Sequence, residues 1–421
     1  METERIGFLG TRFSGTDGVS LEAIKWAEVL RRQNHKLFWY GGRLDKPDHL
    51  SYCAPEAHFQ HPEVQWINER IWGRTKRAPI VSRRIRDLSQ YLKETIWDFV
   101  REYDISLLIV ENALTIPMNL PLGVAIAEFL LESEVPAIAH HHDFYWERSR
   151  FMVNAVSDYL EMAFPPREQE LHHVVINQNA KDNLAWRKGV SSHLIPNVLD
   201  FEKPPPESDP YAKDLRRELG LEQDDIVFLQ PTRVVPRKGI EHSIQLLSLM
   251  ENPKCKLVIS HESGDEGYEY EYMLRGLAKR SGVDLHFVSS KVGTQRNVND
   301  KGENSYNLWD LYPLADFVTY PSLYEGFGNA FLEAVYFKIP MLVNRYDIFM
   351  RDIEPKGFQV VTMDGFVTPD VAERVSRLIE NDEARREVAE HNYQIARRYY
   401  SYKVLQQKLD FLIHTKKGET P

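Results

Sequence analysis

Short apolar runs of strand length alternate with helix-patterned stretches along nearly the whole chain, and a proline-rich segment breaks the alternation once. Before the break the apolar runs are 5–10 (RIGFLG), 36–41 (KLFWYG), 105–110 (ISLLIV), 135–140 (VPAIAH) and 173–177 (HVVIN). Helical spacing covers 18–33, 81–101, 119–133, 147–163 and 179–188. After the break the runs are 225–230, 256–260, 284–288, 317–320, 340–343 and 358–362. They alternate with helical stretches near 238–250, 267–281, 307–314, 329–338 and 369–380. Runs rich in β-branched residues between helices predict parallel strands covered on both faces.

The break itself, 202–210 (EKPPPESDP), holds four prolines and reads as an extended linker. The expected fold class is therefore α/β, with two doubly wound parallel-sheet domains facing across a cleft. They span 1–200 and 201–385, and a helical tail, 386–421, is long enough to pack back on the first. The polar stretch 291–306 is expected to be a long surface loop. Ligands of such sheets sit at the carboxyl ends of strands, beside helix N-termini.

Composition removes several classes of function. A net charge of -10 argues against general nucleic-acid binding. The two cysteines, Cys53 and Cys255, form neither a disulfide framework nor a zinc spacing, which fits a reducing, cytoplasmic setting. The opening METERIGFLGTRF enters a strand without a charged and then apolar leader. The greasiest segment, 105–139, is interrupted by Glu111, Asn112, Pro117, Pro121 and Glu128 and is expected not to span a membrane.

Four stretches bear on chemistry. In 322–334 (SLYEGFGNAFLEA) a strand, a glycine-containing turn and a helix follow one another, with Glu325 in the turn and Glu333 about one helical turn in. Gly326 and Gly328 permit close backbone approach, and the amides of Gly328, Asn329 and Ala330 open a helix that would face a phosphate. Helical side chains lean toward the N-terminus, so Glu333 points back at that anion site. Two acceptor-only carboxylates on either side of a phosphate cradle suit a sugar nucleotide, with hydroxyls at both ends of a diphosphate. The bland alternative is that Glu333 only complements the helix dipole.

In 231–244 (PTRVVPRKGIEHSI), Arg233 closes a strand and Lys238 stands before Gly239 at a helix start. Two cations there can neutralise a diphosphate leaving group, or they are solvated turn residues, a reading that suits Arg237 better. In 139–146 (AHHHDFYW), consecutive residues of a strand point to opposite faces and are not expected to converge on a metal. The favoured reading gives His142 a substrate hydroxyl, with Asp143 orienting it or binding the acceptor. In 10–23 (GTRFSGTDGVSLEA), Gly15 and Gly18 precede a helix without the GxGxxG spacing. Asp17 is then either a helix cap or part of a loop against the acceptor or the leaving diphosphate.

Taken in order, these pieces resemble the retaining glycosyltransferases of family 4, the group 1 glycosyltransferases with the two-Rossmann GT-B fold. The family's E-x7-E element is similar to Glu325 through Glu333, and its arginine–lysine element is similar to Thr232 through Gly239. The stretches LYPLADFVTYPS and IPNVLDFE are similar to further landmarks. The resemblance implies that Glu325 contacts donor-sugar hydroxyls, Glu333 the ribose, and Arg233 and Lys238 the diphosphate. It implies that amides from Phe327 to Ala330 meet sugar and phosphate, and that His142 lines the sugar or acceptor side. The chain departs from the family at Thr232, where glycine is usual, at Pro196-Asn197-Val198 in place of PNG, and in the longer 291–306 stretch.

The implied activity is transfer of mannose or glucose from GDP-mannose or UDP-glucose to an acceptor hydroxyl, with retention and with no cofactor or metal required. No D-x-D occurs in the chain, so leaving-group charge would fall on Arg233, Lys238 and a helix N-terminus. Residues 70–86 carry seven Arg or Lys and no acid, either a solvated helix face or an anion site. Arg83 and Arg84 there suit a small anionic acceptor such as a glycerate-type compatible-solute precursor. The alternatives are an anionic lipid at the membrane surface, or another enzyme of this fold, an epimerase or phosphorylase.

Overall fold

The structure, a computed structural model, describes residues 3–15, 17–168, 170–207, 209–263, 267–293, 295–298 and 304–415. The chain forms two compact units. One runs to Val198 and includes the residues from Tyr402 onward; the other is Leu199–Ser401.

The first unit contains β1 (Arg5–Leu9), β2 (Lys36–Gly41), β3 (Ser51–Cys53), β4 (Leu107–Glu111), β5 (Ala137–His141), β6 (Leu171–Val175) and β7 (His193–Leu194). They form one parallel sheet in the order β3-β2-β1-β4-β5-β6-β7. The period-two alternation of strand side chains separates two cores. Leu9, Tyr40, Leu108 and Val110 pack with Phe99 and Phe129 on one face. Phe8, Trp39 and Ile109 pack with Trp26 and Leu30 of helix Gly18–Arg32 on the other.

Helix Tyr402–Thr415 completes that second core with Leu405, Leu409 and Leu412. Each fully buried leucine contributes about 1.5–3 kcal/mol relative to an exposed one. The preceding helix, Asp382–Tyr399, lies in the second unit, where Tyr393 stacks on Tyr336.

The second unit contains β8 (Ile226–Gln230), β9 (Cys255–Ile259), β10 (Asp284–Phe287), β11 (Val292–Gly293), β12 (Asn297–Val298), β13 (Asn304–Asn307), β14 (Phe317–Tyr320), β15 (Met341–Asn344) and β16 (Val361–Met363). Six of them form a parallel sheet, β10-β9-β8-β14-β15-β16. The remaining three form the small sheet β11-β13-β12.

Two expectations change. The stretch 291–306 is not simply a loop: its described residues include β11, β12 and part of β13, while 294 and 299–303 lie outside the described residues, as do 416–421 of the tail. The helix expected over 147–163 is confined to Ser157–Ala163 and is preceded by two single 3-10 turns. The apolar residues before it, Phe144 and Phe151, are buried without helical continuity. Among the described residues, no helix is long and apolar enough to cross a membrane.

Candidate active site

Each sheet reverses its strand order at one point, between β1 and β4 in the first unit and between β8 and β14 in the second. The crevice outside the carboxyl ends of strands at such a point is where α/β sheets take ligands. The chemistry-bearing residues cluster at both.

In the second unit, the loop after β8 carries Arg233 and Lys238, and the loop after β14 carries Glu325. The Leu323 amide donates to the Arg237 carbonyl at 2.9 Å, so the two loops are tied through their backbones. Lys238 and Glu325, both nearly buried, form an ion pair, and the Arg237 guanidinium lies 3.4 Å from the second Glu325 oxygen. Burial alone would raise the Glu325 pKa, but the Lys238 ammonium outweighs it and holds the carboxyl below its ordinary range. Burial lowers Lys238, against the pull of Glu325. Arg233 is exposed at the same edge. The sequence alone suits Arg237 to a solvated turn; its contact with Glu325 places it instead with Lys238.

Gly328, at φ +119°, opens helix Asn329–Tyr336. A Cβ there would lie 2.7 Å from the Tyr320 hydroxyl oxygen, so only glycine fits the turn. Tyr346 donates to the Phe327 carbonyl at 2.7 Å and fixes the same turn, with Gly326 half-buried, Phe327 buried, and Asn329 and Ala330 in the first helical turn. Glu333 faces Tyr312, whose hydroxyl donates to it at 2.7 Å, and the Trp309 indole N–H at 3.4 Å.

Two neighbours were not visible in the sequence. At the end of β8, just before the Arg233 loop, is a buried amide, Gln230, whose Oε1 accepts from Ser243 at 2.9 Å and Thr319 at 2.7 Å. Its Nε2 donates to Thr232 at 2.7 Å, so the residue that stands where glycine is usual completes a buried network. His261, just beyond β9, bonds Ser260 at 2.8 Å. Burial, then Lys238 and Arg233, lower its pKa to about 4 and keep its ring neutral.

In the first unit, β4 ends on Glu111 and β5 on His141, with Glu111 in register opposite His140. The Glu111 carboxylate lies 3.0 Å from His140 Nδ1 and 3.3 Å from His142 Nε2. Burial would raise the carboxyl, but the two imidazoles bring it to about 2. Burial opposes charge on His142 as well, yet Glu111 lifts its pKa above the usual histidine value. Asp143 is instead engaged by Arg148 and by the Asn112 amide, at 2.6 and 3.1 Å.

The expectation that these histidines do not converge needs correction. Alternation does send His141 the other way, to His173 at 2.9 Å. His140 and His142, however, are two apart and share a face, and Glu111 joins them from the neighbouring strand. Among the described residues, this trio is the one group of three metal-ligating side chains whose ligand atoms lie within 4.8 Å of one another. Each of its members is already hydrogen bonded within it. The signal for Glu111 was a lone acid closing an apolar strand, LLIVE.

Nearer the N-terminus, Asp17 caps helix Gly18–Arg32 through the Ser20 amide at 3.2 Å and pairs with Arg12 at 3.1 Å. Gly15 and Gly18 are exposed beside it. In the basic run, Arg84 donates to Glu63 at 2.9 Å, Arg77 bonds Asp158 at 2.7 Å, and Arg83 is exposed.

Residues 212–395 match the family described as Glycosyl transferases group 1. The chain is 33% identical to a mannosylglucosylglycerate synthase of Petrotoga mobilis, over 85% of this chain and 86% of that one. It is 30% identical to a protein of the same name from Thermotoga maritima, over 96% of this chain and 98% of that one. The crystal structure of a glycosyltransferase from Rickettsia africae superposes with a TM-score of 0.69 at 12% identity, covering 99% of this chain and 100% of that one. The chain belongs to the group 1 glycosyl transferases and has their GT-B fold of two parallel-sheet α/β domains.

Proposed function

We propose that this chain is a retaining hexosyltransferase that uses a nucleotide-diphosphate sugar and glycosylates a small anionic acceptor of the glycerate type. The observation that carries the reading is its likeness, over most of both chains, to two mannosylglucosylglycerate synthases. GDP-mannose is the proposed donor, with UDP-glucose as the alternative, and glucosylglycerate the proposed acceptor.

In this proposal the second unit holds the donor. Arg233 and Lys238 take the diphosphate with the amides from Phe327 to Ala330, Glu325 the sugar hydroxyls, and Glu333 the ribose. The bond from the anomeric carbon to the phosphate oxygen breaks, and its electron pair leaves with the diphosphate. The acceptor oxygen attacks that carbon from the same face, and its proton passes to the departing phosphate oxygen. Fixed cations and amides stabilise the charge that develops on the leaving group, with no metal required of the protein. Neither glutamate acts as nucleophile.

His142 lines the acceptor side in the first unit, where Gly15, Asp17, Gly18 and Asp143 share the sheet's carboxyl edge. Arg83 and Arg84, the pair the sequence suggests for the acceptor's charge, are the rival to the cluster at Arg12 and Arg43, and Arg84 already bonds Glu63. Incubating the protein with GDP-mannose or UDP-glucose and glucosylglycerate, and assigning the product anomer by NMR, tests the reading. Nucleotide release that needs the acceptor and an anomer matching the donor support it. Release without acceptor, an inverted anomer or a trapped Glu325 adduct counts against it.

A further inference from the structure

The carboxyl edge of the first sheet carries a second polar cluster, apart from His142 and its partners. Arg12 follows β1, Arg43 follows β2, and His58 and His61 come from the segment after β3. The Gly42 amide donates to the Thr11 carbonyl at 3.0 Å and the Phe13 amide to the Arg43 carbonyl at 2.9 Å, which laces the two arginine loops together. A Cβ on Gly42 would fall 2.0 Å from the His58 amide nitrogen, so the end of β2 lies directly against the His58 backbone. Phe59 stacks on His58 at 4.5 Å and carries the Arg12 guanidinium 5.2 Å from its ring centre.

The cluster is short of anions. Asp17 pairs with Arg12, and Asp45 with Lys46. Arg43 is exposed and makes no ion pair or side-chain hydrogen bond among the described residues. The buried His58 Nε2 and His61 Nδ1 have no hydrogen-bond partner among the described residues. His58 is held below its ordinary pKa by burial first, and then by the nearby charges of Arg12, Arg43 and His61.

We infer that Arg43 and Arg12, backed by His58 and His61, form the subsite for the carboxylate of the acceptor. This rests on the anionic-acceptor reading above and names the residues that make the choice. The strand order supplies the scale. From the end of β1 to the end of β5, which His142 follows, is two strand spacings, about 10 Å, and from β2 it is three, about 14 Å. That leaves room for one sugar ring and a three-carbon acid between the reacting hydroxyl and the charged end. Planar guanidinium forks match a carboxylate bidentately, which ammonium groups do not.

The same cluster would also suit an oxyanion of the donor's diphosphate, so the test separates the two sources. Wild type, Arg43→Ala, Arg43→Lys and the Arg83→Ala/Arg84→Ala pair are assayed with glucosylglycerate and with its primary amide, and GDP affinity is measured by calorimetry. The expected result is a rise of about 10- to 100-fold in KM for the acid in Arg43→Ala, from loss of a charge-assisted contact. Arg43→Lys recovers part of it, the amide's KM barely moves, GDP affinity is unchanged, and the Arg83/Arg84 pair keeps its preference for the acid. Equal losses on acid and amide, a selective loss in the Arg83/Arg84 pair instead, or weakened GDP binding in Arg43→Ala each overturn the assignment. A wild-type enzyme that does not prefer the acid overturns the anionic-acceptor reading itself, and the assignment with it.

Discussion

Tyr312 donates its hydroxyl hydrogen to Glu333 Oε2 at 2.7 Å from a fully buried position. The carboxylate that would grip the ribose is thus aimed by a side chain that no ligand need touch. Replacing Tyr312 with Phe removes one hydrogen bond to a charged group, about 1.5–3 kcal/mol, part of which reaches the nucleotide through the loosened carboxylate. The expected outcome is a several-fold weaker Kd for GDP or UDP, with little effect on nucleotides lacking the ribose 2′ and 3′ hydroxyls. Equal weakening for both sets would mean that Tyr312 merely supports the fold.

The Lys238–Glu325 pair makes a different prediction, because both charges are nearly buried. Removing Glu325 strands the buried Lys238, a cost of about 3–5 kcal/mol, whereas removing Lys238 leaves Glu325 only the half-exposed Arg237, and replacing both with apolar residues of similar size can be nearly neutral. Lys238→Met and Glu325→Leu are therefore each expected to lower Tm, and the double variant to recover most of the loss. Activity should not recover, since loss of leaving-group stabilisation costs about 100- to 1,000-fold in kcat. A double variant that regains turnover would remove both residues from the chemistry.

Thr232 offers a test of structure without chemistry. Its hydroxyl accepts from Gln230 Nε2, and the remaining Gln230 contacts go to Ser243 and Thr319. Thr232→Ala leaves a buried amide hydrogen without a partner, about 1–3 kcal/mol, and Thr232→Ser does not. Urea unfolding should separate the two variants by that amount. Equal midpoints would show that the amide finds another partner.

Much of the fold was legible because buried parallel strands are continuous apolar runs, as in LLIVE of β4 and FVTY of β14. The edge strands β3 and β7, three and two residues long, were not, since an edge strand needs no apolar run and resembles its flanking loops. The sharing of one sheet edge by Arg233, Lys238 and Glu325 followed from strand–loop–helix order. Their supports did not: Tyr312, Gln230, His261 and Glu111 act through contacts between elements distant in sequence, and only the register of β4 against β5 brings Glu111 to His140. The cluster at Arg12, Arg43 and His58 was hidden for the same reason, being drawn from the ends of three strands.

The pair His141–His173 predicts how the protein meets acid. Both rings are buried, 2.9 Å apart, and burial lowers both pKa values, that of His173 to about 4. An unfolded histidine titrates near 6.5. Between pH 6.5 and 4 the unfolded chain therefore binds a proton that the folded chain refuses, so stability falls as pH drops through that window and is level above it. For His173 the full span is worth about 3 kcal/mol. His173→Gln retains a hydrogen-bonding group but cannot titrate. Its Tm should fall less than that of the wild type between pH 7 and pH 4.5, even if its Tm at pH 7 is lower. Parallel curves for the two proteins would mean that the acid sensitivity arises elsewhere in the chain.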